Sequence, residues 1–164
     1  MKYFKEGDIL LSDFDGVFLD SQKRFYDVMK DEKSIEKWMD FLNSINWKDF
    51  LRECELMPGA LETFSELQRR NILKGFITVI HSFDEGKEKC IFLRELGIKV
   101  PIYYVLPEQE KSRVYIPNRK VVLLDDKEKN VEEWQKSHGK SILYNPEAKS
   151  CGKKYVKSLY DLLK

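Results

Sequence analysis

The chain has 164 residues, enough for one domain with a real core and room for a single insertion. Its 29 Lys and Arg balance 28 Asp and Glu, so there is no strong nucleic-acid signal and no one-signed field that would draw it to a membrane surface. Three cysteines, Cys54, Cys90 and Cys151, are an odd number without metal-ligand spacing, which argues against a disulfide framework and for packing thiols in a reducing compartment. With no signal-peptide core at the start and no apolar run of spanning length, the expectation is a soluble, cytoplasmic protein without a membrane partner.

In chain order, the first apolar run is Ile9-Leu10-Leu11, and it ends in Asp13-Phe14-Asp15-Gly16. Consecutive apolar residues suit a strand covered on both faces, and in an open α/β sheet ligands bind beyond the carboxyl ends of such strands. In an extended chain Asp13 and Asp15 point to one side and Phe14 to the other, while Gly16 permits a turn that a Cβ would resist. Two close carboxylates raise each other's pKa unless a cation or hydrogen bonds compensate, so the pair points to a bound metal or a shared proton. The plainer reading is a turn in which Asp side chains cap backbone N–H groups. A calcium loop starting at Asp13 is excluded, because Phe18 stands where the tight-turn glycine belongs and Arg24 where the bidentate Glu belongs.

Residues 17–57 offer no strand but show helical periodicity through Phe25, then Ile35, Trp38, Met39 and Leu42, then Trp47, Phe50, Leu51 and Cys54, which predicts a small helical insertion with Ser34 capping its middle helix. After Pro58-Gly59 a helix is expected over 60–70, closed by Asn71, and then a strand over 72–80 with Thr78 near its tip. Ser82 and Glu85 have capping-box spacing for a helix running to Leu96, with Lys87 and Lys89 in its first turns and Gly97 as its left-handed terminator. A third strand over 101–106 leads into a polar, exposed loop with Lys111 and Ser112. The fourth strand, over 120–124, runs into Asp125-Asp126, so a second strand tip carries acid. Asn130 can cap the next helix, stopped by Gly139; a fifth strand covers 141–144, and a last helix turns Val156, Leu159, Tyr160 and Leu163 inward.

Strands alternating with helices imply βαβ units: a Rossmann-like three-layer α/β/α sandwich, its mostly parallel sheet five-stranded, with a small helical cap inserted after the first strand as part of one domain. Acidic strand tips, a strand-tip hydroxyl and a lysine near a helix start suit a phosphoryl group with Mg²⁺, which takes carboxylate, water and phosphate oxygens. An aspartate can attack phosphorus and split one hard displacement into two easier ones, with a lysine supplying fixed positive charge.

Taken together, Asp13-Phe14-Asp15-Gly16-Val17, Gly75-Phe76-Ile77-Thr78, Lys89 and Leu123-Leu124-Asp125-Asp126 resemble, in order, the four motifs of the haloacid dehalogenase-like phosphohydrolase superfamily. Lys89 through Gly97, and Asp125-Asp126 followed by Asn130 and Trp134, are most similar to its 5′-deoxyribonucleotidase branch. The resemblance implies that Asp13 is the nucleophile, that Asp15 is the general acid and base, and that Thr78 and Lys89 hold phosphoryl oxygens. It also implies Mg²⁺ on Asp13, the Asp15 carbonyl, and Asp126 or Asp125. Ser82 is the other hydroxyl open to the Thr78 role, and Lys87 or Lys111 the other lysines open to the Lys89 role.

The function expected is a phosphatase acting on a small-molecule phosphate monoester, a nucleoside monophosphate first, whose base could stack on Trp38 or Trp47. The same rings at helical spacing also read as the insertion's own core. The other classes are a phosphatase of phosphorylated protein or nucleic-acid ends, and a non-catalytic phospho-acceptor or binding domain. A phospho-acceptor receiver would carry its acidic pair on the first strand, whereas here the adjacent pair comes last.

Overall fold

The computed structural model describes residues 1–29, 35–148 and 155–164, so Ser34 and Cys151 lie outside the described residues. Strand β1 (Ile9–Ser12) is covered on both faces, as its unbroken apolar run requires: Leu10 packs into a cluster with Phe14, Phe76, Val122 and Leu124, and Leu11 into one with Ile77, Val121, Leu123 and Trp134. The other strands are β2 (Leu73–Val79), β3 (Ile102–Val105), β4 (Val121–Asp125), β5 (Lys140–Tyr144) and β6 (Tyr155–Val156). Every pairing is parallel, in the order β3-β2-β1-β4-β5-β6. Among the described residues the sheet therefore has six strands rather than five, because β6 spans two residues and leaves no periodic trace in the sequence. Val156, expected on the last helix, sits on that strand, and the chain ends in a 3₁₀ turn over Leu159–Leu163.

Between β1 and β2 the described residues form four helices: α1 (Ser21–Met29), α2 (Ile35–Ser44), α3 (Trp47–Glu53) and α4 (Ala60–Arg69). Phe25 sits at 4.6 Å from Phe50 between ring centroids, 5.4 Å from Trp38 and 6.2 Å from Trp47, so the aromatic spacing builds a cluster among α1, α2 and α3. Ile35, expected inward, is exposed, and Leu42 is the buried residue of α2. The ends of this segment are tied together, since Met57 N–H donates to the Phe18 carbonyl and Asp20 N–H to the Glu55 carbonyl.

Helix α5 (Phe83–Glu95) follows β2, α6 (Lys111–Val114) follows β3, and α7 (Glu128–Lys136) joins β4 to β5. Gly97 ends α5 in the left-handed conformation, with Ile98 N–H returning to the Leu93 carbonyl. Asn130 does not cap α7: it lies inside the helix and its amide donates to Asp125. Beyond α7 the left-handed residue is His138, while Gly139 is needed for space, since a Cβ there would stand 2.2 Å from Trp134 Nε1. No helix among the described residues is long and apolar enough to cross a membrane.

Candidate active site at the tips of the central strands

The strand order reverses at β1, which pairs β2 on one side and β4 on the other, and such switch points open a crevice beyond the strand ends. Asp13 follows β1 directly, and its N–H donates to the Leu124 carbonyl. Asp125 ends β4, and Asp126 follows. Carboxylate oxygens of Asp13, Asp125 and Asp126 lie within 4.8 Å of one another. Gly16, at φ 77°, brings the backbone against this trio: a Cβ there would sit 2.6 Å from Asp126 Oδ2.

The two members of the adjacent pair are built differently. Asp125, fully buried, accepts from Lys127 N–H at 2.9 Å, from the Asn130 amide at 3.0 Å and from Lys111 Nζ at 2.6 Å. Asp126 accepts from Gln22 Nε2 at 2.8 Å through Oδ2, while its Oδ1 is buried without a hydrogen-bond partner among the described residues. A buried carboxylate oxygen left so costs free energy unless a ligand takes it.

Of the three lysines that the sequence left open for the phosphate-binding role, two are buried at different carboxylates. Lys111, expected in an exposed loop, is 3% exposed on α6, with Nζ 3.0 Å from Asp13 Oδ1 and 2.6 Å from Asp125 Oδ2. Lys89, expected to hold phosphoryl oxygens, is fully buried against the second aspartate: its Nζ lies 2.7 Å from Asp15 Oδ2 and 2.7 Å from Glu85 Oε1. It also reaches the Val79 carbonyl at 3.1 Å and Thr78 Oγ1 at 3.2 Å, so its three N–H groups are spent within the protein. Helical position decides this, since Lys89 is four residues after Glu85 and both face inward. Lys87 is exposed and meets Glu88 at 3.8 Å.

Thr78 Oγ1 lies 3.2 Å from Asp15 Oδ2, and Ser21 Oγ donates to Asp15 Oδ1 at 2.6 Å. Ser82 is engaged as the N-cap of α5, accepting from Glu85 N–H. Sequence reasoning missed Ser21, Gln22 and the second use of Glu85, whose carboxylate accepts from His81 N–H rather than closing the capping box onto Ser82. The signal available for Glu85 was the inward i, i+4 match with Lys89.

Electrostatics separate the first two aspartates. Burial pushes the Asp13 carboxyl up to about 7, with Asp125, Asp15 and Asp126 adding to the rise and Lys111 opposing it. Burial also opposes ionisation of Asp15, but the charge and hydrogen bond of Lys89, with Ser21 and Thr78, outweigh it and hold that carboxyl below its ordinary value. Asp126 is raised by burial and by Asp125. Both lysines are disfavoured by burial, yet Lys89 is raised by Asp15 and Glu85, and Lys111 by Asp13 and Asp125.

The residues fit a hard divalent cation. Asp13 and Asp125 share the ammonium of Lys111, while Asp126, the third carboxylate of the cluster, has no ion pair among the described residues. The orphaned Asp126 Oδ1, on a carboxylate whose other oxygen lies against Gly16, suits an oxygen-ligated ion such as Mg²⁺. Beside Asp126 and Gly16 opens a pocket of about 420 Å³, walled by Asp20, Gln22, Met57, Tyr144 and Asn145.

The parallel sheet with flanking helices has the fold of haloacid dehalogenase-like hydrolases. Structures similar to the chain include a HAD-superfamily hydrolase from Ehrlichia chaffeensis, at TM-score 0.60 and 15% identity over 94% of this chain and 93% of that one. A haloacid dehalogenase-like hydrolase from Streptococcus pneumoniae matches at TM-score 0.60 and 12% identity over 99% and 98% of the two chains. A predicted phosphatase from Clostridium acetobutylicum matches at TM-score 0.56 and 17% identity over 94% and 95%. No family model and no curated protein sequence matches the chain.

Proposed function

We propose that the protein is a Mg²⁺-dependent phosphatase of small phosphate monoesters that works through an aspartyl-phosphate on Asp13. The observation carrying this reading is the trio of strand-tip carboxylates with one lysine against it and one orphaned oxygen. Asp13 and Asp126 would hold the cation, with Asp125 tying Lys111 in place behind them. Bound there, Mg²⁺ would supply Lewis-acid stabilisation of charge on the phosphoryl oxygens.

The remaining work falls to side chains. Asp13 attacks phosphorus, and Lys111, beside it, neutralises charge at the attacking carboxylate and the phosphoryl group. Asp15 is held ionised by Lys89, so the proton it hands to the leaving oxygen is one the substrate brings in as the phosphate monoanion, whose second pKa is about 6. Once the alcohol has left, Asp15 takes a proton from the water that cleaves the acyl phosphate and passes it to the phosphate released from Asp13, which departs as the monoanion and leaves Asp15 ionised again. Thr78 orients Asp15, and Lys89 serves that carboxylate rather than the phosphoryl oxygens.

Helices α1 to α3 serve as the small cap, and the pocket beside Asp126 takes the leaving group. Its volume of about 420 Å³ suits a small molecule. Within that class we assign a nucleoside monophosphate, from the sequence's likeness to the deoxyribonucleotidase branch. The base would lie against Met57 and Tyr144, because Trp38 and Trp47 are packed against Phe25. The test is a phosphate-release screen over nucleotides, sugar phosphates and phosphopeptides with Mg²⁺ or chelator. Release from small esters should need Mg²⁺ and fall below ~10⁻³ of wild type in Asp13→Asn. Near-normal release by that variant would overturn the reading.

A further inference from the structure

Glu85 is 2% exposed, yet the reaction outlined above gives it no task. Its two oxygens are used separately: Oε1 meets Lys89 Nζ at 2.7 Å, while Oε2 accepts the His81 backbone N–H at 2.7 Å and lies 3.1 Å from His81 Nδ1. The carboxylate thus links the turn after β2 to the Lys89 ammonium, and through that ammonium to Asp15 Oδ2 at 2.7 Å. Asp15 has two other ties, Ser21 Oγ at 2.6 Å and Thr78 Oγ1 at 3.2 Å, and both come from hydroxyls. The charged tie is therefore the strong one, and what fixes it in space is the second carboxylate on the far side of the lysine.

We propose that Glu85 is a positioning residue, clamping the Lys89 ammonium so that Asp15 meets the leaving oxygen in one orientation. This inference rests on the phosphatase reading above. Were Glu85 only an acid in the first turn of α5, its loss would weaken the helix without singling out a chemical step. A loosened Asp15 harms proton delivery, which an alkyl ester needs and an activated aryl ester does not.

The experiment compares kcat/KM for ethyl phosphate and p-nitrophenyl phosphate, with Mg²⁺, in wild type, Glu85→Ala and Glu85→Gln, each checked for native circular dichroism. Glu85→Ala should lose at least ~10-fold more on the ethyl ester than on the aryl ester, as general acid catalysis contributes ~10²–10⁴ in all. Glu85→Gln keeps an oxygen acceptor for Lys89 and nearly the same shape, so it should lose less, and it carries the test if the Ala variant does not fold. Equal losses on both esters, or none, in a folded variant would overturn the inference and leave the phosphatase reading standing. Wild-type protein that releases phosphate from neither ester nor from any nucleoside monophosphate overturns the reading itself, and the positioning role with it.

Discussion

Lys111→Met removes the ammonium that lies 2.6 Å from Asp125 and 3.0 Å from Asp13 while keeping most of the buried stem. Water cannot take its place easily, because the side chain is 3% exposed. Three carboxylates would then face one another without a cation, and removing one partner of a buried pair costs about 3–5 kcal/mol. That is a large part of the ~5–15 kcal/mol that holds a domain folded. At about 2–4 °C per kcal/mol for a domain of this size, thermal unfolding in chelator should drop by about 6–20 °C. Mg²⁺ can take over the lost compensation, so it should raise the melting temperature of Lys111→Met by more than it raises that of wild type. Lys89→Met serves as the control, since Asp15 and Glu85 stand outside the trio and Mg²⁺ should not restore it selectively. A Lys111→Met protein melting within about 2 °C of wild type in chelator would refute the idea that this lysine balances the acidic trio.

The Asp13 carboxyl at about 7 in the folded, metal-free protein, against an ordinary 3.8, means that folding takes up a proton between those values, so its contribution to stability falls as pH rises through that window. Mg²⁺ must displace that proton, and its stabilising shift in thermal unfolding should be larger at about pH 8 than at about pH 5; an equal shift at both would contradict the assignment of Asp13 to the cation. Trp47→Ala should cost about 3–5 kcal/mol in denaturant unfolding, because the ring is 3% exposed and packed on Phe25 and Phe50. Its ratio of nucleotide to sugar-phosphate activity should stay unchanged, and selective loss of nucleotide activity would restore the stacking role. Asp15→Asn should lower kcat/KM far more for alkyl than for aryl phosphates, and an equal fall on both would remove Asp15 from the proton transfer.

The strands that carry the aspartates were legible because an apolar run breaking into acid is a pattern of neighbours along the chain. Thr78 and the left-handed Gly97 were legible for the same reason. What could not be read was pairing at a distance. Lys111 looks like one more polar loop residue, and only the return of β4 beside β1 draws it between Asp13 and Asp125. Lys89 is the reverse case: its place on α5 was readable, but Glu85 one turn before it draws the ammonium to Asp15. Asp125 and Asp126 are equivalent in sequence, and their difference arises from Asn130, Lys127 and Lys111 filling one while the other keeps an open oxygen. Strand β6 escaped because two residues form no period, and His138 because Gly139 after it is the expected terminator.

The central claim is that Asp13 carries the phosphoryl group during turnover. It is tested most directly by mixing the protein with Mg²⁺ and excess p-nitrophenyl phosphate, quenching in acid within the first turnovers, and reducing with borohydride, which converts an acyl phosphate of aspartate to homoserine. Peptide mass spectrometry should find homoserine at position 13 and at no other aspartate, and none when the substrate is omitted. Steady phosphate release with unmodified Asp13, or with the label on Asp15, Asp125 or Asp126, would contradict the account.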